Sequence, residues 1–242
     1  LEIQGPLMHV PPPEVHLWTS RMIVGTNAKG IFHTDTFNGP GGPPPVWRTY
    51  NGGLYSHNIR QLEPDLFGLQ YRHYCRAGDG PDRILYKRVP PVSPAWVPIL
   101  TVPQAEALTA TTGGTLGWVK TNINHPASIF VLYHGATNGN QGFLLRSPDY
   151  GATWTANEIN PWSSRGWPVN LDIGISAGLS PYGAGAVFYC IQSRGAAFYE
   201  TFIMRSLDYG HTWSRQARTG NHNLAPLCYV NPTDQSILYT GG

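Results

Sequence analysis

The nine residues Arg146-Ser147-Pro148-Asp149-Tyr150-Gly151-Ala152-Thr153-Trp154 occur again as Arg205-Ser206-Leu207-Asp208-Tyr209-Gly210-His211-Thr212-Trp213. Arg, Ser, Asp, Tyr, Gly, Thr and Trp keep identical spacing in the two copies. A chain that repeats such a unit is expected to be built from stacked supersecondary units.

Each copy follows an apolar stretch that reads as a strand, Gly142-Phe143-Leu144-Leu145 in the first and Phe202-Ile203-Met204 in the second. Each Trp opens another extended segment, so the residues between Ser and Trp have to reverse the chain. Gly151 and Gly210 can take the positive φ that such a turn needs. Asp149 and Asp208 can fold their carboxylates back onto nearby backbone N–H groups. Trp154 and Trp213 are expected to plug the hairpin base, each burying its ring while its indole N–H keeps a partner. A pair of catalytic acids is the competing role for the two aspartates; turn locks are the expected one.

The pattern S-x-D-x-G-x-T-W, carried by Ser147, Asp149, Gly151 and Trp154 and again by Ser206, Asp208, Gly210 and Trp213, resembles the Asp-box, the bacterial neuraminidase repeat. The resemblance implies an all-β fold, a β-propeller of four-stranded antiparallel blades with the boxes at the outer rim, away from an axial pocket. It does not imply one activity. Asp-box propellers include sialidases, other glycoside hydrolases, sorting receptors, photosystem assembly factors and non-catalytic repeat domains on bacterial and phage surfaces.

Residues 1–20, with Pro6 and Pro11-Pro12-Pro13, read as an arm or linker leading into the propeller domain over 21–242. The first blade is expected over 21–63, with strands at 22–25, 30–34 and 46–50 and an outer strand within 55–62. The second, over 64–124, would take 66–74, 83–89 and 96–100 and close with 117–123. The third, over 125–176, holds the Asp149 hairpin and would close with 169–175. The fourth, over 177–231, holds the Asp208 hairpin and would close with 224–230. Asp35-Thr36-Phe37-Asn38-Gly39 and Ser93-Pro94-Ala95-Trp96 read as degenerate boxes of the first two blades.

Asn124-His125-Pro126 and Asn231-Pro232-Thr233 echo one another, and both read as crossings from one blade to the next. Residues 232–242 would then open a fifth blade. A propeller protects its strands by closing its ring. The final strand, further copies of the chain, or the rest of a longer chain could supply that closure; a piece of a longer propeller is the expected case. The opening at Leu1 reads the same way, as a processed or excised piece.

Charged residues make up only 12%, against 28 Gly and 22 Pro, a mix too turn-rich for a helical protein. The 8 Trp and 13 Tyr are ample to fill the spaces between sheets. A net charge of +2 gives no field that argues for nucleic acid. No apolar run is long enough for a membrane span. Cys75, Cys190 and Cys228 show no C-x-x-C spacing, and a disulfide with one thiol left over stays open. The nine His lack metal-ligand spacing, and no cofactor motif is present.

Sialidase chemistry would require an R-I-P motif and a Tyr nucleophile converging with a Glu partner. Arg21-Met22-Ile23 does not supply the first. Tyr199 and Glu200 are adjacent in a strand candidate and point to opposite faces. Asp172 and Glu200 are the weak candidates for a catalytic acid, with a solvent-facing strand residue as the bland reading of Asp172. The best binding patch is the loop with Trp162, Arg165 and Trp167, where indole faces can stack on sugar rings and Arg can anchor an acidic group. Packing of both Trp between sheets is the equal alternative. The expected function is a non-catalytic interaction module on an extracellular, periplasmic, filament or virion surface, binding glycan or protein. The alternative is a glycoside hydrolase of sialidase-like fold with acids partly outside this chain.

Overall fold

The computed structural model describes residues 22–34, 42–65, 72–89, 95–121, 127–135, 141–159, 167–170, 188–194, 200–221, 227–230 and 237–241. Strands β1 (Met22–Thr26), β2 (Gly30–Thr34) and β3 (Arg48–Thr49) form a first sheet. The second contains β4 (Ile59–Asp65), β5 (Arg72–Ala77), β6 (Ile84–Arg88) and β7 (Val97–Thr101) and is followed by helix α1 (Val102–Thr109). The third contains β8 (Thr115–Thr121), β9 (Ile129–Gly135), β10 (Gln141–Ser147) and β11 (Thr155–Glu158). The fourth contains β12 (Trp167–Asn170), β13 (Phe188–Arg194), β14 (Glu200–Ser206) and β15 (Ser214–Asn221). β16 (Leu227–Val230) and β17 (Leu238–Gly241) pair by themselves. Each sheet is an antiparallel meander in chain order.

The run Ile129-Phe130-Val131-Leu132-Tyr133 explains how the sheets stack. All five residues are buried, and their side chains alternate between two cores. Ile129, Val131 and Tyr133 join Tyr74, Leu85 and Leu100 of the second sheet. Phe130 and Leu132 join Met204 and Trp213 of the fourth. Both faces of β9 are therefore covered, which is why its sequence is continuously apolar rather than alternating. Each large side chain buried there contributes about 1.5–3 kcal/mol.

The grouping of strands differs from the sequence expectation by one strand. The segments expected to close the blades at 55–62, 117–123, 169–175 and 224–230 overlap β4, β8, β12 and β16, which open the following sheets. The expected boundary at 63/64 thus falls inside β4, and those at 124/125, 176/177 and 231/232 fall between the first and second strands of a sheet, rather than between sheets. The proline-flanked junctions prompted that placement. Proline is tolerated at a sheet edge, where its missing N–H faces away from the ladder. Pro64, Pro98 and Pro168 stand in β4, β7 and β12, each of them an edge strand.

With that phase, the repeat becomes regular. Trp47, Trp96, Trp154 and Trp213 each immediately precede the last strand of a sheet, β3, β7, β11 and β15. The Trp96 indole donates to the Tyr50 carbonyl at 2.6 Å, and the Trp154 indole donates to the Ile99 carbonyl at 3.0 Å. Each acceptor lies three residues past the preceding Trp, so each indole stitches its own sheet to the one before.

Helix α1 was not legible as a helix in the hydrophobic pattern, but its start is a local signal. Thr101 caps the Gln104 N–H while the Gln104 side chain accepts from the Thr101 N–H, a reciprocal capping box. Ala110 ends the helix in the left-handed region, φ 53°. No helix among the described residues is long and apolar enough to cross a membrane.

Candidate functional site

The two matched turns come first, because their aspartates are the most conspicuous acids in the sequence. Ser147 Oγ donates to Asp149 Oδ1 at 2.9 Å and accepts from the Gly151 N–H at 2.7 Å. The Asp149 carboxylate also accepts from the Thr153 N–H at 2.8 Å and the Thr153 hydroxyl at 2.6 Å. The second copy reproduces this set: Ser206 to Asp208 at 2.7 Å, Gly210 to Ser206 at 2.7 Å, and Thr212 to Asp208 at 2.8 and 2.6 Å. The bonds from Thr153 hold Asp149 down at about 2. Burial pushes Asp208 up, but the bonds from Thr212 and Ser206 outweigh it and leave the carboxyl below its ordinary value. These are ionised acceptors fixed inside their own loops.

The remaining motif residues reach outward to a neighbouring sheet. Lys87 donates to the Tyr150 carbonyl at 2.7 Å, and the Arg72 guanidinium lies 3.8 Å from the centre of the Tyr150 ring. Arg146 lies 5.3 Å from the Tyr209 ring centre and 3.0 Å from His211 Nε2. Lys87 and Arg146 hold equivalent register positions, opposite Val97 and Thr155, the residues that follow Trp96 and Trp154. A cation of one sheet thus clamps the turn of the next.

The other end of the sheets carries a different set of groups. His134 pairs with Gly142 at one end of the β9–β10 ladder, and Ile129 pairs with Ser147 at the other, ~17 Å away at the usual rise per strand residue. At the His134 end, Arg76 Nη1 and Arg83 Nη1 both donate to the Leu116 carbonyl, at 2.9 and 3.0 Å. Arg60 bonds Asp79, which also accepts from Asn58. Burial, followed by the Arg83 and Arg60 charges, brings Arg76 down to about 9. Burial, followed by the Arg76 and Arg83 charges, holds His134 down at about 4, so its ring is neutral near pH 7. Asp79 is held below the usual carboxylate range, chiefly by Arg60. The result is a half-buried group of three guanidiniums with one acid at its rim.

Sequence reasoning missed this cluster. No spacing or motif in the sequence groups Asp79, His134 and the three arginines. The available signal was Arg76 itself, a charge inside the strand Arg72-His73-Tyr74-Cys75-Arg76-Ala77, whose last four residues are all buried. Its neighbour Cys75 is a free, buried thiol pushed up by burial. Such a thiol is unreactive.

Trp162, Arg165 and Asp172 lie outside the described residues. Trp167 opens β12 opposite Ser193, and Glu200 opens β14 opposite Arg194; their side chains lie outside the description. Cys190 and Cys228 take their places in β13 and β16. Three other acids have backbone or cationic partners. Glu63 accepts from the Thr121 N–H at 3.3 Å and pairs with Lys120 at 3.9 Å, and Glu106 accepts from the Gly113 N–H at 2.6 Å. Asp79 has Arg60 and Asn58. Among the described residues no group of three His, Cys, Asp or Glu side chains could hold a metal ion.

No family model matches the chain. No curated protein sequence matches it. Among solved structures it is similar to the GH74 enzyme of Niastella koreensis, with 13% identity and a TM-score of 0.31 over 88% of this chain. The chain spans about half of that enzyme's length, 51%.

Proposed function

We propose that this chain is a non-catalytic β-propeller module, its sheets being successive blades, that binds a glycan or protein partner. The observation that carries the reading is the use made of Asp149 and Asp208. Both carboxylates are spent on the N–H and hydroxyl groups of their own turns and are held ionised, a state in which neither can serve as a general acid. A glycosidase needs two carboxyl groups flanking one bond, whereas Glu63, Asp79 and Glu106 are each engaged with a separate partner. The meander order, and the packing of β4 against β8 and of β12 against β10, support a radial arrangement of sheets.

The test is a glycan array probed with the purified chain, run beside hydrolysis assays on the same glycans. Saturable binding to a defined glycan class without release of reducing sugar is expected. Release of reducing sugar by the purified chain overturns the reading.

A further inference from the structure

Arg76 is only 8% exposed, and a buried charge is ordinarily matched by an opposite one. Here its acceptor is a neutral carbonyl, that of Leu116, already shared with Arg83. The Arg83 and Arg60 charges that act on it are both of its own sign, and the neighbouring Cys75 thiol, held protonated by burial, supplies no counter-charge near pH 7. The Nε atoms of Arg60, Arg76 and Arg83 are all buried without a hydrogen-bond partner. Among the described residues Asp79 is the one carboxylate acting on this group, and its side chain stands at the solvent edge, 56% exposed, beside Arg60 at 24%. Among the described residues, three fixed cations, a neutral imidazole and one rim acid leave the cluster short of negative charge.

We propose that Arg60, Arg76 and Arg83 form a binding site for a single oxyanion, a carboxylate, sulfate or phosphate group, that enters past Asp79. The guanidinium is the side chain suited to this task, because its planar array of N–H donors matches two oxygens of an oxyanion at once. Arg60 is the gatepost: its carboxylate partner Asp79 is exchanged for the incoming group. The inference deepens the binding-module reading, on which it rests only for its use; the charge imbalance stands apart from that reading.

The experiment measures the binding of sodium sulfate, phosphate and acetate to the whole chain by calorimetry and thermal shift, each against sodium chloride at matched ionic strength. At least one oxyanion is expected to bind saturably and to raise Tm beyond the chloride control. Differences among the three salts identify the anion geometry preferred. Arg60→Gln is expected to weaken that binding about tenfold or more, the value of one charge-assisted hydrogen bond. Asp79→Asn removes the competing carboxylate and is expected to tighten it. The buried Arg76 is left in place, because Arg76→Gln endangers the fold, and the two rim variants carry the test. Equal responses to all salts at matched ionic strength overturn the proposal, as does unchanged affinity in Arg60→Gln. Oxyanion binding with an empty glycan array sinks the glycan half of the module reading alone, and glycan binding untouched by these variants sinks the oxyanion site alone.

Discussion

Gln61 of β4 and Val119 of β8 close a reciprocal pair of hydrogen bonds between two sheets. The Gln61 Nε2 donates to the Val119 carbonyl at 2.6 Å, and the Val119 N–H donates to Gln61 Oε1 at 2.9 Å. Both strands are sheet edges, whose outward backbone groups would otherwise go unpaired. The side-chain amide has one donor and one acceptor at the right separation, so it takes the place of a neighbouring strand. Two residues farther along, Glu63 receives the Thr121 N–H in the same manner.

Gln61→Leu keeps the volume and removes both bonds, leaving a buried N–H and a buried carbonyl of Val119 without partners. The expected loss is about 2 kcal/mol or more, at the cost of leaving buried polar groups unpaired. Urea denaturation measures it; a change under ~0.5 kcal/mol would mean that the edge is satisfied in another way.

Ser147→Ala and Ser206→Ala each strip the acceptor from a buried glycine N–H, that of Gly151 or Gly210. Each is expected to destabilise by about 1–3 kcal/mol. Because the two turns lie in different sheets, the double variant should lose close to the sum of the two. Thermal or urea unfolding of the three variants decides this.

Gly151 and Gly210 sit at φ 88° and 83°. A Cβ on Gly151 would stand 2.7 Å from Ile99 Cδ1, and one on Gly210 would strike the Leu144 side chain. Backbone strain and overpacking act together, so Gly151→Ala and Gly210→Ala should each lose about 2 kcal/mol or more. Replacing Ile99 with Ala in the Gly151→Ala background should recover the steric part and leave the backbone part. No recovery would show that Ile99 is not the obstacle.

Asp149 titrates near 2 in the fold, below the ordinary carboxylate value of about 3.9. A depressed folded-state value means that the ionised carboxylate stabilises the fold fully above that ordinary value. The contribution fades as pH falls through the window from about 4 to 2. Asp208 shifts in the same direction. The Asp149→Asn variant should therefore be less stable than the parent near pH 7 and lose less on acidification across that window. Denaturation midpoints measured from pH 7 to pH 2 test the sign. Parallel curves would show that Asp149 is not depressed.

What could be read in the chain and what could not divide along the range of the forces involved. The hairpins at Asp149 and Asp208, the chain reversal at Gly151 and Gly210, and the strands on either side all depend on groups within a few residues of one another. Ser, Asp, Gly and Thr at that spacing leave the backbone few other ways to satisfy its N–H groups. The helix at Val102–Thr109 was equally local in its capping box, yet it went unread because strands were expected on both sides of it.

The phase of the sheets was not local. A strand such as Thr115–Thr121 has the same apolar alternation whether it ends one sheet or begins the next, and only its pairing with Ile129–Gly135 decides which. The Arg and Tyr of the repeated motif were legible as repeated, but their partners belong to adjacent sheets. Arg60, Arg76 and Arg83 carry no pattern in sequence; β4, β5 and the residue before β6 bring their charges together, with Arg76 and Arg83 on the Leu116 carbonyl of β8. Short-range hydrogen bonds made the turns readable from residue order alone, whereas edge pairing and charge crowding act between groups that only the folded backbone makes neighbours.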